Sequence, residues 1–372
     1  MKICVIGGGN IGTLLIGDIG GKDEFSLRLL TSRPDEWNNI IEVCDEDGSL
    51  KHVGNVDIIS NKPEDVIKDA DIIISTLPSH ILPQTIQTIK PFIKDGALIG
   101  VMPGSGGSEF YCKELIERGC ILFGFQRVHG IARIREYGKS VYDLGRKEEL
   151  FIAAIPAEKT FEICQIMSNI FDVNCISLPN YLTITITPSN SILHTTRLYT
   201  MFRDYQEGSY WNKIMDFYAE WTDESSKMLI ACDKELQAFC GMMTGLNLSG
   251  VRSLTDHYES KTPEELTAKI ASIEAFANIK TPMLKTSKGY IPDFSSRYFQ
   301  EDFPYGLCII KGFCKIVGLE TPSIDKVLMW FEKVVGAEYY LEGSFTGKDL
   351  LSLPLPQNYG LSSAEDIVMY YG

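Results

Sequence analysis

Lys2-Ile3-Cys4-Val5-Ile6-Gly7-Gly8-Gly9-Asn10-Ile11-Gly12 is the stretch on which the reading of the fold turns. Five residues, four of them apolar, read as a buried strand, and the chain then runs straight into glycines. Gly7, Gly9 and Gly12 fall on the G-x-G-x-x-G spacing. The first permits a tight turn, the second lets a pyrophosphate approach the backbone, and the third lets the following helix pack close to the strand. Phosphates then meet a helix N-terminus, where free N–H groups and the helix dipole favour anions. Gly7, Gly9, Asn10, Ile11 and Gly12 are therefore expected at a dinucleotide.

Working outward, the first half alternates short apolar runs with amphipathic segments. Lys2–Ile6, Leu27–Leu30, Val56–Ile59, Asp71–Thr76, Ala97–Val101 and Ile121–Phe125 read as strands. Most are apolar throughout, as parallel strands covered on both faces require. Pro63–Ala70, Leu82–Ile93 and Ser108–Arg118 read as helices between them, so the pattern predicts an α/β Rossmann-type domain with a mainly parallel sheet. Leu150–Ile155, a helix over Lys159–Phe171 and a strand near Val173–Leu178 complete it. From Pro188 the spacing turns helical: Ile192, Thr196, Tyr199 and Phe202 recur every three to four residues. Helices are expected at Asn212–Ile230, Lys234–Met243, Pro263–Ala275, Tyr305–Val317 and Ser323–Val335. The expected division is a dinucleotide-binding domain over 1–180 and an all-α C-terminal domain over 181–372.

Composition agrees with two ordinary globular domains: 372 residues, 44% hydrophobic and 23% charged. The formal net charge of -14, with no basic stretch, argues against nucleic acid and anionic membrane surfaces as partners. No apolar run approaches the roughly 20 residues of a membrane span, and no leader segment is visible. The ten cysteines form no C-x-x-C pair and read as reduced core residues of a cytoplasmic protein. A helical half of this kind leaves a homodimer open without identifying its surface.

Cofactor choice is read at the end of the second strand. NAD-selective sites usually carry Asp or Glu there, about 20 residues on, to bind the ribose 2′-hydroxyl. This chain has Thr31-Ser32-Arg33. Hydroxyls and a guanidinium suit a 2′-phosphate, so NADP(H) is favoured through Ser32 and Arg33. Asp35 lies near enough to keep NAD(H) open. Ser75-Thr76-Leu77-Pro78 and Pro103-Gly104-Ser105-Gly106-Gly107 follow strands, where open α/β sheets bind ligands; Leu77, Pro78 and Gly104 are expected to line the cofactor.

Two polar clusters stand out in the second half. Asn190-Ser191-Ile192-Leu193-His194 follows a helix start at Pro188, which puts Asn190 and His194 one turn apart. Arg297-Tyr298-Phe299-Gln300-Glu301-Asp302-Phe303-Pro304-Tyr305-Gly306-Leu307 packs an arginine, two carboxylates and two tyrosines before a helix. On residue types alone, His194 could be structural, Asp302 a helix cap, and Arg297 a partner of Glu301.

Taken together, the glycine fingerprint, Asn190-x-x-x-His194 and Arg297-Tyr298-x-x-Glu301-Asp302-x-Pro304-Tyr305-Gly306-Leu307 resemble the octopine/nopaline (opine) dehydrogenase family over Met1 to about Val335. The resemblance implies NAD(P)H-dependent reductive joining of an amino acid amine to a 2-oxo acid. It further implies that His194 and Asp302 form the catalytic pair and that Arg297 holds a substrate carboxylate; for His194 and Asp302 to act as one unit, they are expected to be adjacent across the cleft between the domains. Asn190 and Tyr298 are expected beside the substrate. Asp233-Lys234-Glu235 also resembles a family segment, without an assigned role. Phe125-Gln126-Arg127-Val128-His129 departs from the pattern near the nicotinamide and leaves the substrates open more than the reaction. A 2-oxo-acid or ketopantoate-type reductase would use a lysine base, for which no comparable motif is present. A non-catalytic NAD(P) sensor would carry a degraded cluster.

Overall fold

In the computed structural model, which describes residues 1–372, strands occur in the order β1 (Lys2–Ile6), β2 (Ser26–Leu30), β3 (Ile40–Cys44), β4 (Leu50–Asn55), β5 (Ile58–Ser60), β6 (Ile72–Ser75), β7 (Leu98–Val101), β8 (Ile121–Phe125), β9 (Gly130–Glu136), β10 (Ser140–Arg146), β11 (Glu149–Ile155), β12 (Asn174–Ser177), β13 (Met283–Thr286) and β14 (Gly289–Pro292). Eight of them form one sheet in the order β12-β11-β8-β7-β6-β1-β2-β5. Every pair in it is parallel except β8 with β11. β1 takes Ile3 opposite Leu27 on one side and Ile72 on the other, so the chain reverses its direction of winding between β1 and β6. That reversal opens a crevice at the strand C-termini, where α/β sheets bind ligands. The expected parallel α/β domain is therefore present.

The apolar strand centres explain the sheet. Ile3, Val5, Leu27, Leu29, Ile72 and Ile74 are fully or almost fully buried, with Leu15, Ile16 and Ile19 of the helix Asn10–Ile19 packed in the same core. A second sheet, β4-β3-β10-β9, was not expected. Its strands bury few residues: β3 buries only Ile41, Val43 and Cys44, and β4 only Gly54. With charged residues among the apolar ones, no regular period marked it in the sequence.

The chain forms two compact units, Met1–Thr185 with Tyr371–Gly372, and Ile186–Tyr370. The second unit is helical, with one antiparallel hairpin, β13–β14, added to the all-α expectation. Asn212–Ile230 is not one helix: the helix starts at Asp223 and runs unbroken to Met242, absorbing the separate segment expected from Lys234. Thr222 sets the start by accepting from the Ser225 N–H. Upstream, the Arg197 guanidinium takes the Phe217 and Glu220 carbonyls, groups that a helix would have used itself. No helix is long and apolar enough to cross a membrane. All ten cysteines are free thiols, nine of them buried.

Candidate active site

In the first unit, a cleft of about 750 Å³ lies over the C-terminal ends of β1 and β2. Gly7, Gly8 and Gly9 form one wall, Thr31, Ser32 and Arg33 another, and Leu77, His80 and Gln84 a third. Gly7 has φ +105°, which favours glycine. A Cβ on Gly12 would lie 2.0 Å from the Gly7 carbonyl oxygen, so Gly12 is demanded by packing. Gly9 faces open space and has no side-chain cap over the helix Asn10–Ile19. The free N–H groups of that first turn make an anion site, and no acidic residue opposes it. His80 lines the same cleft with a buried Nδ1 that no protein group engages. These features fit a dinucleotide.

The remaining expected cofactor residues fall at different distances from the cleft. Arg33 is exposed; its guanidinium sits 3.8 Å over the Tyr137 ring and pairs with Glu36 at 3.2 Å. Ser32 and Leu77 line the cleft, whereas Asn10, Ile11, Pro78 and Gly104 are absent from its wall. Asn10 accepts from the Ile134 N–H at 2.9 Å, and Ile11 packs against the core. Gly104 is buried, and a Cβ there would lie 2.7 Å from the Gly124 Cα and 3.0 Å from the Tyr181 hydroxyl. Its glycine is accounted for by packing.

In the second unit, His194 opens the helix Leu193–Phe202 and Asp302 follows the short helix Arg297–Gln300. Their side chains meet: Nδ1 of His194 lies 2.8 Å from Asp302 Oδ2, with 13% and 11% of the two side chains exposed. Both residues belong to this one unit, so the pair is complete within it and does not lie across a cleft between two domains as expected. Burial pushes the Asp302 carboxyl up, partly opposed by His194 beside it. The other ring nitrogen, Nε2, lies 2.8 Å from the Tyr218 hydroxyl. Tyr298 packs its ring 4.7 Å from the imidazole, and Phe217 lies edge-on at 5.6 Å. A histidine held by a carboxylate on one nitrogen and a hydroxyl on the other can take up or release a proton without losing its orientation.

Asn190 is exposed on the short helix Pro188–Ser191, separated from the helix of His194 by Ile192. Arg297 bonds Glu301 through Nε at 2.9 Å and Nη2 at 2.6 Å, while its side chain stays 67% exposed. Sequence reasoning missed Tyr218, Tyr137 and His80, because tyrosines and a loop histidine carry no spacing signal. His129 is buried away from the nucleotide cleft: Nε2 meets Asp18 Oδ2 at 3.1 Å in a separate cavity of about 580 Å³. His52, at 3.0 Å, and Arg146 bind the same carboxylate. Burial alone would raise the Asp18 pKa, but these partners outweigh it and hold the carboxyl well below its usual range.

Comparison with known proteins gives two family matches. Residues 177–335 match the α-helical domain of NAD/NADP octopine/nopaline dehydrogenases, and residues 2–107 match the N-terminus of NAD-dependent glycerol-3-phosphate dehydrogenases. Tauropine dehydrogenase of Arabella iricolor is 27% identical over 98% of this chain and 99% of its own length. Octopine dehydrogenase of Pecten maximus is 27% identical over 99% of this chain and 98% of its own. Among solved structures, octopine dehydrogenase with NADH and L-arginine superposes with a TM-score of 0.86 at 26% identity, covering 99% of this chain and 98% of the other. A 2-dehydropantoate 2-reductase from Geobacter metallireducens shares the fold, with a TM-score of 0.60 at 16% identity over 90% of this chain and all of the other.

Proposed function

We infer that this chain, a member of the octopine/nopaline dehydrogenase family, is an opine dehydrogenase: it reductively condenses the amine of an amino acid with a 2-oxo acid, using a nicotinamide dinucleotide. The observation that carries this reading is His194 held between Asp302 and Tyr218 in the unit matching the family's helical domain. Imine formation needs an amine stripped of its proton and a carbonyl oxygen supplied with protons until it leaves as water. An imidazole near neutral pH serves both needs, and the Asp302 carboxylate stabilises its protonated form. The bound dinucleotide supplies hydride to the C=N bond. Arg297 holds a substrate carboxylate; Nη1 is not used by Glu301, so the guanidinium keeps donors available for a second anion. Asn190 and Tyr298 contact the substrates, Tyr298 from beside the imidazole. Ser32 and Arg33, in place of an acidic residue, favour NADPH.

The test is NADPH and NADH oxidation with pyruvate or another 2-oxo acid, with and without a panel of amino acids. Oxidation should require both partners. Turnover with the oxo acid alone would select the reductase reading, and tight nucleotide binding without turnover would select a sensor.

A further inference from the structure

Both nitrogens of His194 are already engaged, and this constrains how a proton can reach a substrate. An imidazole nitrogen has one in-plane direction for a hydrogen bond. Nδ1 uses its own on Asp302 at 2.8 Å, and Nε2 on the Tyr218 hydroxyl at 2.8 Å. Any proton passing between Nε2 and a substrate must travel through that hydroxyl, unless Tyr218 withdraws.

Withdrawal is opposed from several sides. Tyr218 is 6% exposed. Its ring stacks on Phe276 at 4.4 Å and on Trp221 at 6.1 Å, and lies edge-on to Phe217 at 4.8 Å. The flanking backbone is fixed as well. Arg197, one turn after His194 on the same helix, donates from Nε to the Phe217 carbonyl at 2.9 Å and from Nη2 to the Glu220 carbonyl at 2.6 Å. Nη1 donates to Ser225 Oγ at 3.1 Å. Arg197 is 3% exposed, and its charge faces neutral acceptors without a carboxylate at salt-bridge distance. Burying a guanidinium in that way is costly. Here it serves to hold the loop that carries Tyr218 in register with the helix that carries His194.

We propose that Tyr218 is the outer member of a three-group proton relay, Asp302–His194–Tyr218, and that its hydroxyl is the group exchanging protons with the substrates. A hydroxyl donates and accepts, so it suits both protonation states of the ring. In the forward direction the substrate ammonium gives a proton to the Tyr218 oxygen while the Tyr218 proton moves to Nε2. The amine becomes a neutral nucleophile, and the imidazolium is stabilised by Asp302. Once the amine has added to the carbonyl and its nitrogen has passed a proton to the adduct oxygen, the relay, run in reverse, returns the stored proton to that hydroxyl; the C–O bond breaks, and water leaves as the protonated C=N forms. Atoms and charge balance, and no further reagent is needed.

The proposal rests on the opine dehydrogenase reading, and the experiment separates the two. Tyr218→Phe keeps the stacked ring and removes only the hydroxyl. It should lower kcat by about 10²-fold or more, the scale of an acid–base group, with nucleotide binding unchanged by fluorescence titration. His194→Ala/Tyr218→Phe should be hardly slower than His194→Ala, as for groups acting as one unit. The parent needs no variant for a second test: the rate in H2O–D2O mixtures should depend on deuterium fraction with the curvature of two protons in flight. A Tyr218→Phe enzyme within twofold of the parent, or a linear dependence, overturns the relay alone. A parent that oxidises no nucleotide with any amine and oxo acid pair removes the function reading and the relay together.

Discussion

Arg33 and Arg297 each have a protein carboxylate beside them, Glu36 at 3.2 Å and Glu301 at 2.6 Å. Both guanidiniums are more than half exposed, so these pairs contribute little to stability and are easily exchanged for a ligand. The cleft position of Arg33 makes the cofactor prediction specific. Arg33→Ala should raise the KM for NADPH by roughly 10- to 100-fold, as expected for a lost charged phosphate contact of ~1.5–3 kcal/mol. The KM for NADH should hardly move. Initial rates with each nucleotide check it, and equal use of both by the parent would sink the assignment. Residue identity was a partial guide at this scale. The fingerprint glycines were legible because two of their constraints are local: φ +105° at Gly7, and the Gly7 carbonyl oxygen 2.0 Å from where a Gly12 Cβ would sit. Gly104 looked the same on paper, yet packing against Tyr181 accounts for it. A glycine required by a neighbour and one required by a ligand are indistinguishable until the neighbour is known.

Among the elements, Asp233-Lys234-Glu235 shows what a family-like segment can do without touching substrate. Glu235 projects from the helix Asp223–Met242 and accepts from the Ser323 N–H at 2.7 Å and the Ile324 N–H at 2.9 Å. These N–H groups open the helix Pro322–Val335, whose own N-cap, Thr321, makes no capping bond. A carboxylate on a helix N-terminus satisfies orphan donors and complements the dipole. Glu235→Ala should therefore cost about 1–2 kcal/mol, read as a lower urea midpoint, with nucleotide binding intact. Glu235→Gln should recover part of that loss; a wild-type midpoint for Glu235→Ala would leave the carboxylate without a structural role. Periodicity had placed helix in both regions, with a break before Lys234 that the structure does not have, but the cap joins residues 88 and 89 apart in sequence. The boundary at Asp223 was hidden for the same reason, since Arg197 takes the upstream carbonyls from a distance.

Over the whole molecule, an acidic chain must place its buried carboxylates with care, and two of them respond to pH with opposite signs. Asp18, in the first unit, is held well below its ordinary pKa, so its contribution is fully present above the unfolded value of about 3.9, starts to fall below it, and is gone only once pH passes the depressed native value. Asp233, in the second unit, is pushed up to about 6 by burial, with only the Leu254 N–H and Gln237 opposing. Ionising it in the native state carries a penalty that is absent below about pH 4 and complete above about pH 6, roughly 3 kcal/mol at most. Asp18→Asn should thus destabilise at pH 7, by on the order of 2–4 kcal/mol because Arg146 and His52 are about a third exposed, and by progressively less as pH falls below about 4, with most of the effect still present near pH 3. Asp233→Asn should stabilise at pH 7 and be neutral near pH 4. Urea denaturation at both ends of the range reads each slope, and parallel slopes in parent and variants would refute these roles. Asp18 did not announce itself beforehand, and Asp233 stood out only as part of a family-like segment without a role. Local pattern was enough for the parallel α/β half, through apolar strand centres and a glycine turn whose constraints are local, and for the helical character of the second half, through its period. It also marked His194 and Asp302, through a resemblance, as a candidate pair. That those two meet inside one unit, that Tyr218 lies at the other ring nitrogen, and that His129 turns to Asp18 came from contacts between distant segments. Local pattern reports which backbone a segment adopts. Which side chains share a buried space depends on contacts between distant segments, and these carry no periodic signature.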